Sequence, residues 1–299
     1  MTTRPGIGIY APSGFSLDAA ALERAVARLV ERGHPVVVDP TCRSRHQRFA
    51  GSDAERLAAV LRMAADPRVE IAITLRGGYG WSRLLAHLDF SAIAATRKRW
   101  LGYSDFTAFA LGALARAGMT TLAGPVAATD FGAAVPSTFT LDHCFGVLDH
   151  ARYDVRCALN GPDVAVAGTL WGGNLAMVAH LVGTPFMPAV EGGILFLEDV
   201  GETPYRIERM FHQLLHAGIV QRQRAVLLGQ FTEYALSDND GGYDFASAVA
   251  VLRESCDVPV FTGLPFGHVR EKLTLPVGGH CVLDVRGGAA RLALSGCGG

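Results

Sequence analysis

The sequence predicts an α/β protein built in two parts, a parallel-sheet N-terminal half and a more mixed C-terminal half. Three observations predict it. Short apolar strands alternate with stretches of helical periodicity from Ile7 onward, and several of those strands end in glycine- or serine-bearing turns that open helices. After Gly132 the pattern changes, and a polar connection follows at Asn160-Gly161-Pro162-Asp163. The expected division is therefore 1–135, a connecting segment over 136–164, and 165–299, in a chain of 299 residues that is long enough for two cores.

Taken in order, residues 7–10 form an apolar strand and Ala11-Pro12-Ser13-Gly14 a turn. Leu17, Leu22, Val26, Leu29 and Val30 then recur at helical spacing up to Gly33, and a strand over 34–40 completes a βαβ unit. Arg43, Arg45, His46 and Arg48 form a basic loop, which reads either as solvated or as a substrate contact. Ser52 with Glu55 three residues on makes a capping box for a helix through Ala65. A strand over 69–75 runs into Arg76-Gly77-Gly78-Tyr79-Gly80-Trp81. Glycines at a strand's carboxyl end let backbone approach a ligand closely, and open parallel sheets bind ligands at that edge. The loop lacks the lysine and the spacing of a nucleotide fingerprint, and a plain structural turn is its other reading.

The next strand ends at Gly102, a helix spans 106–118, and a short strand over 120–125 is the last of this sheet. Residues 133–165 read as a helix-like stretch and a connection. The second half opens with a strand that turns into a helix at Gly172-Gly173-Asn174. A strand over 193–199, a helix over 204–218 and a strand over 225–230 follow. A helix over 245–256, a strand over 258–261 and short strands between 273 and 294 complete the chain.

Composition narrows the partners. The formal net charge is −1 and 49% of residues are apolar, so no long-range field favours nucleic acid or an anionic membrane. A small or neutral ligand is expected. No uninterrupted apolar run of membrane-spanning length appears, and the start of the chain does not resemble a signal peptide, which points to a cytoplasmic protein. Cys42, Cys144, Cys157, Cys256, Cys281 and Cys297 are scattered, without the spacing of a zinc site or a disulfide framework, and neither metal nor cofactor is expected.

The candidate chemistry centres on Gly102-Tyr103-Ser104-Asp105. A serine between a strand's carboxyl end and a helix's amino end exposes its hydroxyl beside free backbone N–H groups that can hold an oxyanion. The turn is akin to the G-x-S-x-G elbow of other hydrolases but carries Phe106 at the second glycine position. Its other reading is a helix cap. A serine nucleophile needs a base and a group to orient that base. Of the ten histidines, His268 lies on a loop after Leu264-Pro265-Phe266-Gly267, where side chains are commonly presented for function. Glu198 ends an apolar strand, where a carboxylate must be paired; the pair is either a histidine or Arg206 or Arg209. Asp199 is expected on the opposite face.

Several blocks in order carry a resemblance: Ala11-Pro12-Ser13-Gly14, Phe49-Ala50-Gly51-Ser52-Asp53, Arg76-Gly77-Gly78-Tyr79-Gly80, Gly102-Tyr103-Ser104-Asp105, Gly172-Gly173-Asn174-Leu175, Leu197-Glu198-Asp199 and Pro265-Phe266-Gly267-His268. Together they resemble the LD-carboxypeptidase (muramoyltetrapeptide carboxypeptidase) family of serine peptidases, over almost the whole chain. The resemblance implies a Ser104–His268–Glu198 triad and an oxyanion hole from the backbone N–H groups of Gly78 and Asp105. It also implies an N-terminal domain like class I glutamine amidotransferases, a C-terminal domain around a β-barrel-like sheet, and a homodimer.

The implied reaction releases a terminal D-amino acid, D-alanine, from an L-centre of a peptidoglycan tetrapeptide, in murein recycling. Substrate carboxylate recognition falls to Arg76 or Arg206. Ala123, Glu208 and Gln230 depart from the family's usual residues without touching the triad. Within the family the alternative is a self-immunity peptidase that hydrolyses a toxic aminoacyl-nucleotide antibiotic of the microcin C type; its adenine-stacking loop has no obvious counterpart here. Outside the family, a glutamine amidotransferase-like enzyme would carry cysteine at the turn, and a silent muropeptide-binding protein would bind without turnover.

Overall fold

The computed structural model of the chain describes residues 4–296, so Met1 to Thr3 and Cys297 lie outside the described residues. Five parallel strands form the N-terminal sheet: β1 (Ile7–Tyr10), β2 (Val36–Val38), β3 (Ile71–Thr74), β4 (Arg99–Gly102) and β5 (Thr121–Ala123), ordered β2-β1-β3-β4-β5. Their near-continuous apolar character is what a sheet covered on both faces requires. Helices α1 (Ala19–Glu31), α2 (Asp53–Ala65), α3 (Phe90–Ala95) and α4 (Phe106–Ala117) connect them.

Asp18 caps α1 by accepting from the Ala20 N–H, which leaves Leu17 outside the helix and exposed. The buried stripe is Ala21, Leu22, Ala25 and Leu29, whereas Val30 faces solvent, so small alanines fill places that the apolar spacing assigned to larger residues. The Ser52–Glu55 capping box opens α2 as expected. Helix α4 is buried from Phe106 to Ala113 because it lies between the two halves, packing on both, and Gly118 ends it in the left-handed conformation at φ 60°.

The region after Gly132 departs from the expectation. Helix α5 (Thr138–Asp149) is followed by a strand, β6 (Arg152–Ala158), where a connection was expected. The period-2 alternation is present, with Val155 buried between the exposed Arg152 and Arg156, but the charged outer face masks it. The second half then runs β7 (Val164–Asn174), α6 (Leu175–Leu181), β8 (Ile194–Val200), α7 (Pro204–His216), β9 (Ala225–Thr232), α8 (Phe245–Glu254), β10 (Val260–Thr262), β11 (Leu275–Val277), β12 (His280–Arg286) and β13 (Ala289–Ser295).

Seven of these strands form the second sheet in the order β10-β9-β8-β7-β12-β13-β6, parallel from β10 to β7 and antiparallel from β7 to β6. Its two edges meet. Asn160, just beyond β6, exchanges backbone hydrogen bonds of 2.9 and 3.0 Å with Thr262 of β10, which curls the sheet toward a barrel.

Strand β11 corrects a second expectation. It pairs antiparallel with β5, in the register Leu275 with Ala123 and Val277 with Thr121, so the first sheet takes a sixth strand from far along the chain. Pro276 has no N–H to give, and an edge strand is where a sheet tolerates that.

Candidate active site

Strands β3 and β4 are neighbours, so the glycine loop after one and the serine turn after the other stand side by side. Ser104 has φ +64°, a left-handed value that a non-glycine residue adopts only when its surroundings enforce it. Those surroundings are tight. A Cβ at Gly102 would lie 2.6 Å from Thr74 Oγ1, and one at Gly77 would lie 2.8 Å from Ser104 Cβ. Both glycines are therefore space-makers for the turn. Ser104 does not cap α4; its carbonyl accepts from the Thr107 N–H at 2.9 Å, while its hydroxyl lies 3.0 Å from His268 Nε2.

His268 arrives from the segment between β10 and β11, where Gly267 at φ +138° passes so close to the Gln230 carbonyl that a Cβ would lie 2.9 Å from it. The imidazole Nδ1 lies 2.7 Å from Glu198 Oε2. Glu198 on β8 is fully buried, and its other oxygen receives the Asn174 amide at 3.4 Å. With Glu198 as a carboxylate, Nδ1–H donates to it, which leaves the Nε2 lone pair to accept the Ser104 hydroxyl.

Two models of known families match the chain: the LD-carboxypeptidase N-terminal domain over residues 7–124 and the LD-carboxypeptidase C-terminal domain over residues 167–283. The chain belongs to the LD-carboxypeptidase family. A putative carboxypeptidase of Streptomyces coelicolor is 36% identical, across 96% of this chain and 92% of its own length. The crystal structure of muramoyltetrapeptide carboxypeptidase from Oxalobacter formigenes superposes with a TM-score of 0.91 at 44% identity, covering 97% of this chain and 98% of that one. The microcin C7 self-immunity protein shares the fold at 22% identity and a TM-score of 0.88, over 98% and 96% of the two chains. The class of enzyme follows from the family: a serine-type carboxypeptidase, a peptide hydrolase.

The remaining site residues of this LD-carboxypeptidase are placed unevenly. The backbone N–H groups of Gly78, at φ +111°, and of Asp105 donate to no protein acceptor among the described residues. Arg76 stands beside Gly78, its guanidinium half-buried and donating to the Phe15 carbonyl at 3.0 Å, with no ion-pair partner among the described residues. Arg206 is exposed in the first turn of α7, paired with Glu202 at 3.7 Å and donating to the Tyr205 hydroxyl. It forms no pair with Glu198, and neither does Arg209, because the buried carboxylate is satisfied by His268 and Asn174.

Asp199 does not turn to the opposite face as its strand position suggested. A β-bulge between Leu197 and Asp199 shifts the register, and Asp199 Oδ1 reaches the same Asn174 amide at 2.9 Å. The basic loop is mostly structural: Arg43 pairs with Glu23, and Arg45 lies over the Phe15 ring at 4.2 Å.

Three residues near Ser104, His268 and Glu198 escaped the sequence reading. Asn174 lies behind Glu198; its sequence signal was its place in the Gly172-Gly173-Asn174-Leu175 block, to which no role at the site was attached. Lys272 and Asp130 form a buried ion pair; Lys272 Nζ sits 4.5 Å from the centre of the Tyr103 ring, which in turn lies 5.0 Å from the His268 ring. A lone lysine in Lys272-Leu273-Thr274-Leu275, next to apolar residues, was the available signal.

The carboxyl of Asp105 is buried as well, and burial pushes it up to about 6 against the opposing hydrogen bonds from Ser13 and the Trp81 N–H. A buried acid with a raised value binds its proton more tightly when folded, so its contribution favours the fold at low pH and is lost as pH rises from about 4 to 6. Asp105→Asn lacks this titration. Between pH 4 and pH 7 its stability is expected to gain on the wild type by on the order of 2 kcal/mol, read from urea melts across that range; a constant difference would show that Asp105 ionises normally.

Proposed function

We propose that the chain releases a terminal D-amino acid, D-alanine, from the L-centre of a peptidoglycan tetrapeptide. The observation that carries this reading is the continuous path from Ser104 through His268 to Glu198, at 3.0 and 2.7 Å. The muramoyltetrapeptide carboxypeptidase named among its structural relatives supports the substrate. In this reading Ser104 Oγ attacks the scissile carbonyl carbon while its proton passes to His268 Nε2. The N–H groups of Gly78 and Asp105 hold the developing oxyanion, each such donor being worth about 3 kcal/mol, or roughly a hundredfold in rate.

His268 then hands the proton to the amine of the leaving D-alanine, and water, deprotonated by the same imidazole, releases the acyl group from Ser104. Glu198 holds the tautomer and balances the imidazolium. We assign the substrate's free carboxylate to Arg76, whose charge has no ion-pair partner among the described residues and lies beside Gly78. Arg206 could take that place only if its pair with Glu202 opened. Residues 1–135 bring the nucleophile and 165–299 bring Glu198 and His268, joined by 136–164. The reading extends to a cytoplasmic homodimer in murein recycling; no helix among the described residues is long and apolar enough to cross a membrane.

The test is D-alanine release from a tetrapeptide, with tripeptide and pentapeptide controls and an aminoacyl-sulfamoyl adenosine in parallel. Release from the tetrapeptide alone is expected. Hydrolysis of the adenosine conjugate without tetrapeptide turnover would replace this reading with the immunity function.

A further inference from the structure

Asp105 occupies the N-cap position of α4, where an aspartate ordinarily accepts from the first turn of its own helix, yet its side chain makes no such bond. It reaches sideways instead. One oxygen, Oδ2, accepts both the Ser13 hydroxyl at 2.6 Å and the Trp81 backbone N–H at 3.0 Å, while Oδ1 is buried without a hydrogen-bond partner among the described residues. Ser13 belongs to the turn after β1 and Trp81 to the end of the glycine loop after β3, so a single atom holds two loops to the serine turn.

The loops are also fitted to one another. The Gly14 N–H donates to the Gly77 carbonyl at 3.2 Å, and a Cβ at Gly80 would lie 2.9 Å from the Pro12 carbonyl oxygen and 3.0 Å from Ser13 Cα. Ser13 itself is fixed from behind, its carbonyl accepting from the Ala50 N–H at 3.0 Å. A carboxylate that is 1% exposed costs free energy unless its hydrogen bonds repay it, and here those bonds lead to the loop that carries the Gly78 N–H.

We propose that the Asp105 side chain is a positioning residue for the oxyanion hole, holding the glycine loop in register with the serine turn so that the Gly78 and Asp105 N–H groups converge on one point. This rests on the reading of Ser104 as nucleophile. Its effect belongs to the transition state, where the oxyanion exists, and not to ground-state binding of the peptide.

The test compares Asp105→Ala, Asp105→Asn and Ser13→Ala with the wild type in the full chain. The readouts are kcat and KM for D-alanine release and the affinity of a peptide boronic acid, which forms a tetrahedral adduct with a serine nucleophile. Asp105→Ala is expected to lower kcat by roughly 100-fold and weaken the boronate by a similar factor, with KM moved less than about threefold. Asp105→Asn is expected to restore at least tenfold of that loss, since its amide oxygen can accept both donors and its NH₂ falls where Oδ1 has no partner.

Ser13→Ala removes one donor and is expected to lower kcat by roughly 3- to 10-fold with its Tm held; it keeps the proposal testable if Asp105→Ala does not fold. Unchanged kcat in Ser13→Ala, a loss confined to KM, or an Asn variant as impaired as Ala would each overturn the proposal. Ser104→Ala separates the two levels. Activity retained there defeats the nucleophile itself, whereas an inactive Ser104→Ala beside an unimpaired Asp105→Ala defeats only the role given to Asp105.

Discussion

Alanine at position 104 is expected to leave a folded protein whose D-alanine release falls by roughly a millionfold. The substitution removes one oxygen, the atom 3.0 Å from His268 Nε2, and leaves the turn's backbone, including its positive φ, to the same neighbours. Stability therefore changes little, and circular dichroism with a thermal melt checks that. His268→Ala is expected to cost about as much as Ser104→Ala, and the pair together little more, because members of a triad act as one device. Glu198→Gln is expected to lower kcat by roughly ten-thousandfold, since an amide NH₂ facing Nδ1 favours the tautomer that blocks Nε2 from accepting the serine proton. Normal turnover by Ser104→Ala would remove the serine from the chemistry altogether.

The largest effect on stability is expected at Lys272. The residue is 2% exposed and its ammonium is paired with Asp130, whose other oxygen accepts the Val126 N–H at 2.8 Å. Lys272→Met leaves the Asp130 carboxylate buried without its counter-charge, a loss of about 3–5 kcal/mol. Lys272→Met with Asp130→Asn is expected to recover most of it, because the amide oxygen of Asn can still accept from Val126 and no charge remains buried.

Activity reports on the same pair. Lys272 follows His268 by four residues and its ammonium lies over the Tyr103 ring that packs against the His268 imidazole, so losing the ammonium is expected to loosen that packing and lower turnover. Urea titrations of the single and double variants check the stability term, and a single variant as stable as the wild type would show that the pair is solvated.

Much of the frame was legible because its signals are local. Ser52 and Glu55 announce their helix three residues apart, and Gly118 ends α4 with the one residue type that adopts its backbone angle without strain. The proposed triad was legible as a set of separate loops and strand ends; its assembly came through the family resemblance, since nothing in the spacing of Ser104, Glu198 and His268 fixes a distance.

What escaped was non-local or irregular. Strand β6 hides its alternation behind arginines and an aspartate, and Asp199 is redirected by a bulge that no residue type signals. Asn174, the Asp105 side chain and the Lys272–Asp130 pair act across 24 or more residues of sequence, where periodicity carries no information.

The allegiance of β11 carries a consequence for how the enzyme can be taken apart. Residues 263–274, with His268 among them, are strung between β10 in one sheet and β11 in the other, anchored at both ends. The imidazole is thus carried on a span with two abutments, not on a swinging arm. A hinge opening between the halves would have to tear β11 from β5. By the same topology, a gene cut at the connecting segment yields no independent N-terminal piece: β5 would be left as a bare edge, inviting other chains to pair with it.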